Sequence, residues 1–176
     1  MQESIKIPTE RIAVLVGTKG STKRMIEKKS ECKLTVDSTE GDVLIEGESL
    51  AVFTTKQVIK AIARGFNPNI ALKLLKEDYV LEILNIRDYA GTSKNKEERL
   101  RSRVIGTEGK AKQTIEYKTN SYISVYGKTV AIIADSERIV IARFAVNKLL
   151  QGAQHGHTYR WIEDQLEQLR SEPLDI

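Results

Sequence analysis

Two short segments of the chain, VGTKGST at 16–22 and IGTEGKA at 105–111, are nearly identical, and each follows an apolar run. A pair of glycines lets a backbone approach a ligand closely, because glycine has no side chain to hold the ligand away. The lysines that follow supply positive charge. These residue types suit the binding of a phosphate-bearing chain. We call the two glycine-bounded segments clip 1 (residues 17–20) and clip 2 (residues 106–109).

The spacing of the glycines argues against nucleotide chemistry. The phosphate-binding loop of nucleotide hydrolases has a glycine five residues before a Gly-Lys pair and a Ser or Thr after it. Around clip 2 those two places hold Val104 and Ala111, and in clip 1 Gly20 is followed by Ser21 instead of lysine. Neither clip has the spacing of a dinucleotide site, and no carboxylate cluster suggests two-metal catalysis. The sequence therefore predicts a binding protein and not an enzyme.

Positive charge is concentrated around both clips, although the net charge of the whole chain is only +4. Residues 17–33 contain six Lys or Arg and two Glu, and residues 87–118 contain nine basic and five acidic residues. The rest of the chain is net acidic. One charged run is usually a solvated helix face, but two such runs at matched places predict a polyanionic partner.

The remaining composition excludes several other classes of protein. Cys32 is the only cysteine and cannot form an internal disulfide, and no Cys or His pair has zinc-ligand spacing, so we expect no metal and no cofactor. The longest apolar runs, such as residues 12–16 and 129–134, are far shorter than the ~20 residues that cross a bilayer. The N-terminus has no signal-peptide core. We expect a cytoplasmic protein without membrane contact.

The chain contains an internal duplication. At an offset of 89 residues, eight of the twenty positions from 17 to 36 are identical, where unrelated stretches would share about one or two. The identical pairs are Gly17–Gly106, Thr18–Thr107, Gly20–Gly109, Lys23–Lys112, Ile26–Ile115, Glu27–Glu116, Lys29–Lys118 and Val36–Val125. Farther along, the offset becomes 87, so the second copy is two residues shorter in the loop between its last two strands.

Each copy reads as strand, helix, clip, helix, strand, strand, helix from the spacing of its apolar residues. In the first copy we predict a strand at 4–8, a helix at 9–17 capped by Thr9, a helix at 21–31, strands at 33–38 and 42–47, and a helix at 49–65. In the second copy we predict a strand at 79–86, a basic insertion at 87–96, helices at 96–106 and 110–120, strands at 122–127 and 129–135, and a helix at 136–152. Three strands with three helices on one face make an α+β layer pair.

Four apolar residues near the C-terminus recur at spacings of three, four and three, which is typical of one face of an amphipathic helix. They are Tyr159, Ile162, Leu166 and Leu169. We expect this helix to pack on the body or to bridge the two copies, and the alternative is a partner-binding helix with Trp161 as an exposed anchor. His155 and His157 read as surface residues of a loop. The predicted domains are 1–66, a linking helix at 67–77, 78–153, and a C-terminal helix and tail at 154–176.

The order of these elements resembles the KH domain in its type I form, β-α-α-β-β-α. The motif GxxG alone is weak, but VIGTEGKAKQTIEYKTNSYISV in the second copy is a specific match. In that family the glycine loop and its flanking helices clamp about four nucleotides of a single strand. The resemblance therefore implies two tandem KH domains of α+β fold, each with a three-stranded sheet, and a GxxG clamp for single-stranded RNA in each.

The resemblance assigns RNA contacts to residues in three groups. The clamp residues are Gly17, Thr18, Lys19, Gly20, Gly106, Thr107, Glu108 and Gly109. The basic residues around them are Lys23, Arg24, Arg101, Arg103, Lys110 and Lys112. The apolar platform for the bases is Leu34, Val36, Ile123 and Val125, together with Ile26 and Ile115, for which a plain core role is the alternative. Glu108 should repel a phosphate unless Lys110 or Lys112 pairs with it.

The stretch RVIGTEGKAKQTIEYKTNSYISVYGKTVAIIA, followed by KLLQGAQHGHTYRWIE, resembles the archaeal two-KH-domain proteins of small-subunit rRNA processing, which are relatives of the eukaryotic partner-of-Nob family. The resemblance implies binding to the 3′ end region of 16S rRNA while the small ribosomal subunit matures. It also implies contact with a maturation endonuclease or with the α subunit of translation initiation factor two.

The family resemblance leaves the role of the first copy open. Eukaryotic members resemble this chain mainly in the second domain and have lost clip 1, whereas GTKG is intact here. The first copy can therefore bind RNA, a protein or both. The alternative function is a protein-interaction scaffold in ribosome assembly or translation initiation, with only one RNA-competent KH domain.

Overall fold

The computed structural model describes residues 1–172, which form two compact units of α+β fold. The first unit comprises residues 1–79 and the second begins at residue 80. Each unit contains one copy of the repeat and one three-stranded sheet. The duplication read from the sequence is therefore a duplication of a whole fold.

The first unit has the predicted order of elements. They are β1 (Gln2–Lys6), α1 (Thr9–Val16), a 3₁₀ turn (Thr18–Gly20), α2 (Ser21–Ser30), β2 (Lys33–Val36), β3 (Asp42–Glu46) and α3 (Ser49–Ala63). Its sheet has the order β1-β3-β2, and both pairings are antiparallel. A short helix α4 (Pro68–Ala71) and a second 3₁₀ turn (Leu72–Leu75) follow α3.

The second unit repeats this order and adds two helical segments. Its elements are β4 (Tyr79–Asn85), α5 (Arg87–Ala90), α6 (Lys94–Ile105), a 3₁₀ turn (Thr107–Gly109), α7 (Lys110–Thr119), β5 (Tyr122–Tyr126), β6 (Thr129–Asp135), α8 (Arg138–Leu150) and α9 (His155–Ser171). The sheet order is β4-β6-β5, equivalent to that of the first unit. The additions are α5, in the predicted basic insertion, and α9.

The two cores are built from equivalent residues. Ile26 of α2 is fully buried, and Leu34 and Ile45 pair across β2 and β3 with their side chains buried. In the second unit the corresponding strand pair is Ile123 with Ile132. Alternate residues of each strand therefore point to the helices, as the period of two requires.

Two local predictions are wrong. The N-cap residue of α1 is Pro8 and no side chain caps that helix, so Thr9 is not a cap. Proline fixes the φ of residue 8 at −56° and has no side-chain acceptor, so the helix starts after it without a side-chain cap. His155 and His157 do not lie in a loop, because both are in the first turn of α9. The intervening glycine made the segment read as a loop, but the first helical turn accommodates it.

Helix α5 is held firmly to the second unit. The Arg87 guanidinium forms an ion pair with the buried Glu97 of α6, with Nε and Oε1 3.1 Å apart. The Tyr89 hydroxyl donates a hydrogen bond to the side-chain oxygen of Asn147 on α8. The insertion predicted from residue 87 is therefore an ordered part of the fold.

Helix α9 belongs to the core of the second unit. Ile162 is fully buried there, and the other apolar residues of the predicted face pack partly buried against the same core. The expectation that this helix packs on the body is confirmed. Trp161 is half-buried, lies edge-on to Phe144 with ring centroids 6.2 Å apart, and is covered by Lys148, so it is not an exposed anchor. Residues 173–176 of the predicted tail lie outside the described residues. Within residues 1–172 no helix combines the length and apolarity needed to cross a bilayer.

The start of α8 depends on Asp135. Its Oδ1 accepts hydrogen bonds from the amides of Glu137 (3.1 Å) and Arg138 (2.9 Å), and its Oδ2 accepts one from the Arg138 guanidinium (2.9 Å). Burial alone would raise the pKa of the Asp135 carboxyl, but the hydrogen bonds and charge of Arg138, with the Glu137 amide, together hold that pKa below its ordinary value. The carboxylate therefore stabilises the fold in its charged form.

Replacing Asp135 with alanine should lower the free energy of unfolding of the second unit by about 1 kcal/mol at pH 7, because two amides at the start of α8 lose their acceptor, as they do when an N-cap side chain is removed. A lowered pKa means that this stabilisation is fully present above the unfolded carboxyl pKa of about 3.9 and is lost as the pH falls through the lower folded value. Urea unfolding followed by the fluorescence of Trp161, the only tryptophan, measures this. The difference between wild type and Asp135→Ala should shrink below about pH 4. Asp164→Ala is the matched control, because Asp164 is an exposed carboxylate within α9 of the same unit and lies away from any helix start. An undiminished difference at low pH would contradict the assignment.

Candidate nucleic-acid interface

Clips 1 and 2 have the same backbone geometry. The first glycine has φ and ψ of 72° and 178° at Gly17, and 75° and 174° at Gly106. The third residue lies in the left-handed region in both clips, at 52° and 31° for Lys19 and 55° and 27° for Glu108. This conformation costs a non-glycine residue roughly 1–2 kcal/mol. Both copies therefore maintain the same strained turn between two helices, although the residue that carries the strain differs in charge.

The first glycine of each clip is required by the protein itself. A Cβ on Gly17 would lie 2.2 Å from the Thr22 hydroxyl oxygen, and one on Gly106 would lie 2.6 Å from the Ala111 Cβ. Both distances are much shorter than a carbon contact allows. The first glycine thus lets the clip fold tightly against the start of the following helix.

The last glycine of each clip faces more open space. A Cβ on Gly20 would come within 3.2 Å of the flexible end of Arg24, and one on Gly109 would reach only the Gln113 side chain at 3.9 Å. Both glycines have φ of 73°, which accounts for part of the preference for glycine. Above Gly109 the surface is free to receive another molecule closely.

The middle residues of the clips are exposed and differ in charge. Thr18 and Lys19 project from clip 1, and Thr107 and Glu108 from clip 2. The Glu108 carboxylate lies 4.0 Å from the Lys110 ammonium, as one of the sequence alternatives predicts. Because both side chains are at least three-quarters exposed, this pair neutralises the carboxylate only weakly.

A paired Lys and Glu on the second helix recurs in both units, and the sequence reasoning missed its role. The ion pairs, each 3.2 Å long, are Lys23–Glu27 and Lys112–Glu116. The two glutamates also accept hydrogen bonds of 2.8 Å from the amides of Leu34 and Ile123. Each pair therefore ties the second helix to the strand that follows it, and part of the charge of the two predicted RNA-binding lysines is used within the protein. Identity at both positions of an i, i+4 pair in the duplication was the available signal.

The predicted RNA-binding arginines of α6 both bind backbone carbonyl groups. Arg101 donates two hydrogen bonds to the Gly127 oxygen, at 3.1 and 2.7 Å. Arg103 donates one to the Leu149 oxygen at 3.0 Å and another to the Ala153 oxygen. Arg101 thereby holds the turn between β5 and β6, and Arg103 holds the end of α8. Neither guanidinium is left wholly available for a phosphate.

The first unit contains the same carbonyl-binding arrangement, made from a different position. Arg11 of α1 donates hydrogen bonds to the oxygens of Ile62 (2.8 Å) and Phe66 (2.9 Å). These two acceptors are equivalent to those of Arg103 at an offset of 87. Arg11 itself is equivalent to Leu100, so the two arginines sit one helical turn apart on their helices. A fixed-offset alignment does not pair Arg11 with Arg103, so the role of Arg11 was not predictable from the duplication.

Most of the predicted base platform is core. Ile26 and Ile115 are fully buried, Leu34 is 1% exposed and Ile123 is 3% exposed. The alternative core role therefore holds for the two isoleucines of the helices, and the two strand residues share it. Val36 and Val125 keep part of their surface exposed and remain candidates for base contacts. In the basic group, Arg24 and Lys110 are both exposed and remain candidates for RNA contacts. Within residues 1–172, no group of three or more His, Cys, Asp or Glu side chains is placed to bind a metal.

Comparisons with known proteins match both units. The KH domain model matches residues 2–61, and the model described as the eukaryotic-type KH domain (KH domain type I) matches residues 80–167. A KH domain-containing protein of Methanocaldococcus jannaschii is 46% identical over 179 residues, covering 99% of this chain and 78% of that protein.

A eukaryotic relative and a solved complex are also similar. The pre-rRNA-processing protein PNO1 of Chaetomium thermophilum is 28% identical over 164 residues, covering 88% of this chain but only 62% of that protein. A chain in the crystal structure of the a/eIF2alpha-aDim2p-rRNA complex of Pyrococcus horikoshii is 42% identical, with a TM-score of 0.88 over 96% of this chain and 95% of that one.

Proposed function

This chain belongs to the family of two-KH-domain proteins that includes archaeal Dim2p and eukaryotic PNO1, and we propose that it binds single-stranded RNA through both clips during maturation of the small ribosomal subunit. One observation carries the proposal: two clips with the same backbone geometry, both exposed, each lead into a helix of ten residues. A scaffold that used only one clip for RNA would not need to keep the strained turn in both.

The arrangement around each clip suits a sugar-phosphate chain. Helices α2 and α7 begin directly after Gly20 and Gly109 without a side-chain cap, so the positive end of each helix dipole faces the clip. The amides of Ser21 and Lys110 donate to the Thr18 and Thr107 carbonyl oxygens, so the attraction for a phosphate comes from the dipole and the lysines. Lys19 adds charge at clip 1 and Lys110 at clip 2. Phosphate contacts of this kind give affinity that falls with salt, while base contacts near Val36 and Val125 would supply preference among bases.

Relatives suggest the target and partners. PNO1 is named for pre-rRNA processing, and the archaeal Dim2p complex contains rRNA and the α subunit of an initiation factor. We extend both to this chain, with the 3′ end region of 16S rRNA as the target strand and the α subunit of translation initiation factor two as a protein partner. A maturation endonuclease acting near the same rRNA end is the further partner in this proposal.

Added carboxylates in a clip should weaken RNA binding wherever that clip is used. The test compares wild type with Thr18→Asp combined with Lys19→Asp, and with Thr107→Asp, which leaves two carboxylates in clip 2 because Glu108 is already present. A carboxylate about 4 Å from a phosphate costs about 1 kcal/mol even in water, so we expect roughly a fivefold to hundredfold loss of affinity. Fluorescence anisotropy with a single strand matching the 16S rRNA 3′ end gives the Kd.

The reverse change is the matched control. Glu108→Lys gives clip 2 the sequence of clip 1 and should strengthen binding several-fold if clip 2 contacts phosphates. Loss of affinity in only the Thr107→Asp protein would assign the first unit to protein binding, the alternative left open by the sequence. Unchanged affinity in all three variants would refute the clip mechanism. A strand of the same length and scrambled sequence tests the proposed 16S target, since it should bind more weakly than the matching strand.

A further inference from the structure

Clip 2 opens into a cleft of the second unit. The cleft has a volume of about 480 Å³ and lies between the clip, the side of α6 that bears Arg99, and the first turns of α9. Gly106, Thr107 and Lys110 line one wall. His155 and Tyr159 of α9, whose rings are edge-on with centroids 6.3 Å apart, line another. The cleft thus presents basic and aromatic side chains directly beside the clip.

A second cleft continues from the first along α6. Its volume is about 410 Å³, and it shares Arg99 and Arg103 with the first cleft. Lys96 and Tyr89 line its far end. We call the two clefts together the α6 groove. Among the described residues that line it there is no Asp or Glu.

The charges of the α6 groove are available to a ligand. The structure gives the Arg99 guanidinium and the Lys96 ammonium no hydrogen bond or ion pair in the described part of the chain, and both residues are exposed. Within residues 1–172 the Lys110 ammonium has only its weak pair with Glu108. Arg103 contributes charge to the floor while its guanidinium binds carbonyl oxygens. Basic side chains without acidic neighbours give a groove a positive potential, which raises the local concentration of anions.

The basic residues of the α6 groove have no basic counterparts in the first unit. At an offset of 89 residues, Lys96, Arg99 and Lys110 correspond to Ile7, Glu10 and Ser21, so the basic line is absent from the first copy. The two parts that the second unit adds to the repeated fold, α5 and α9, each form a wall of the groove. Both walls are fixed. Tyr89 of α5 is bound to α8, and His155 of α9 donates from Nε2 to the Arg103 carbonyl oxygen at 2.8 Å.

We infer that the α6 groove binds the nucleotides that flank those held by clip 2, so that a single RNA strand continues from the clip along α6. Exposed Arg and Lys beside aromatic rings are the usual means of binding a single strand without reading its sequence, through phosphate contacts and stacking. An acidic protein segment would also meet the charge, but it would have no reason to begin at a glycine clip. The inference rests on the proposed function, because it extends the RNA path of clip 2.

The test measures how affinity depends on RNA length. We compare a core strand of about five nucleotides, slightly longer than one KH clamp, with the same core extended by several nucleotides at either end. In wild type, an extension that enters the groove should tighten binding about tenfold, since each stacked or ion-paired nucleotide contributes to affinity. Lys96→Glu with Arg99→Glu should abolish that gain while changing affinity for the core less than about threefold, in about 0.15 M salt where fields are screened beyond about 8 Å.

Arg160→Glu with Arg170→Glu is the matched control, because it makes the same change in charge on exposed residues of α9 that do not line the groove. This variant should keep the length effect. A second readout is the salt dependence: losing two phosphate contacts should make the slope of log K against log salt shallower by about 1.4, at about 0.7 per single-strand phosphate.

Three outcomes would overturn the inference. One is that wild type gains nothing from either extension. Another is that the groove variant loses affinity for the core and the extended strands equally, which would mean that Lys96 and Arg99 act only through their electrostatic field at the clip. The last is that an acidic peptide competes with the core strand at clip 2 while extensions have no effect, which would mark a protein surface. Failure of the proposed function is distinct, because Thr107→Asp would then leave the affinity for every strand unchanged.

Discussion

Replacing Gly106 with alanine should destabilise the second unit by about 3 kcal/mol or more. The φ and ψ of Gly106 lie in a region that only glycine populates readily, which costs another residue about 1–3 kcal/mol. The new Cβ would also meet the Ala111 Cβ at 2.6 Å and the Ala111 amide nitrogen at 2.7 Å, and forced overpacking adds about 1–3 kcal/mol. Because one of the opposing atoms is backbone, no side-chain rotation relieves the contact. Urea unfolding followed by Trp161 fluorescence should show the loss.

Gly109→Ala is the informative control for that prediction. It places the same methyl group in open space, with φ of 73° and ψ of 12°, so the expected cost is only about 1–2 kcal/mol. The folded Gly109→Ala protein should nevertheless bind RNA about tenfold more weakly, because the methyl group occupies the surface that a strand must approach. Equal destabilisation by the two substitutions would contradict the assignment of a packing role to Gly106 and of an RNA-contacting role to Gly109. If the Gly109→Ala protein bound RNA with wild-type affinity, clip 2 would not be an RNA contact.

Arg103→Gln should lower the free energy of unfolding of the second unit by about 2–3 kcal/mol. The change removes a charged donor from two carbonyl oxygens at the end of α8, and hydrogen bonds to charged groups contribute about 1.5–3 kcal/mol each. Water can partly replace the donor, which keeps the total below the sum. The free energy of RNA binding by the folded protein should change much less than the free energy of unfolding, because the Arg103 guanidinium binds carbonyl oxygens within the fold.

Arg99→Gln is the control for Arg103, since Arg99 is on the same helix and exposed but binds no carbonyl oxygen in the part of the chain that the structure describes. It should leave the unfolding free energy within about 0.5 kcal/mol of wild type, as is usual for surface changes. The equivalent substitution in the first unit, Arg11→Gln, should reproduce the loss of stability in circular dichroism melting. A wild-type unfolding curve for Arg103→Gln together with a large loss of RNA affinity would show that Arg103 contacts RNA, as predicted from the sequence.

The fold was predictable because the signals that specify it are local and occur twice. Apolar spacing and turn residues located every strand and long helix of both copies, and the duplication confirmed each reading against a second sequence. The errors lie at Thr9 and at the His155–His157 segment. Thr9 follows a proline and reads as a cap, although the helix starts at Thr9 itself. The glycine between the two histidines reads as a loop, although it lies within a helix. Ends of elements depend on a few backbone contacts that sequence spacing does not encode.

The clips themselves were predictable from the sequence, but the destinations of long side chains were not. Positive φ and close approach both call for glycine, so GxxG is visible in the letters. An arginine reaches several ångströms, and whether Arg103 meets a phosphate or the end of α8 depends on how helices pack. The alternation along a strand shows that Leu34 shares a face with Val36, and Ile123 with Val125, but not which face of the sheet meets the helices.

The burial of Ile162 determines where the chain can be divided for experiments on isolated fragments. A polypeptide that stops after α8 would retain all the elements of a KH domain yet leave the surface beneath α9 open to water, including part of the core that Tyr159, Leu166 and Leu169 cover. Such a fragment would expose a contiguous apolar patch and would tend to aggregate. The autonomously folding version of the second copy is therefore longer than that of the first and includes α9 to Ser171.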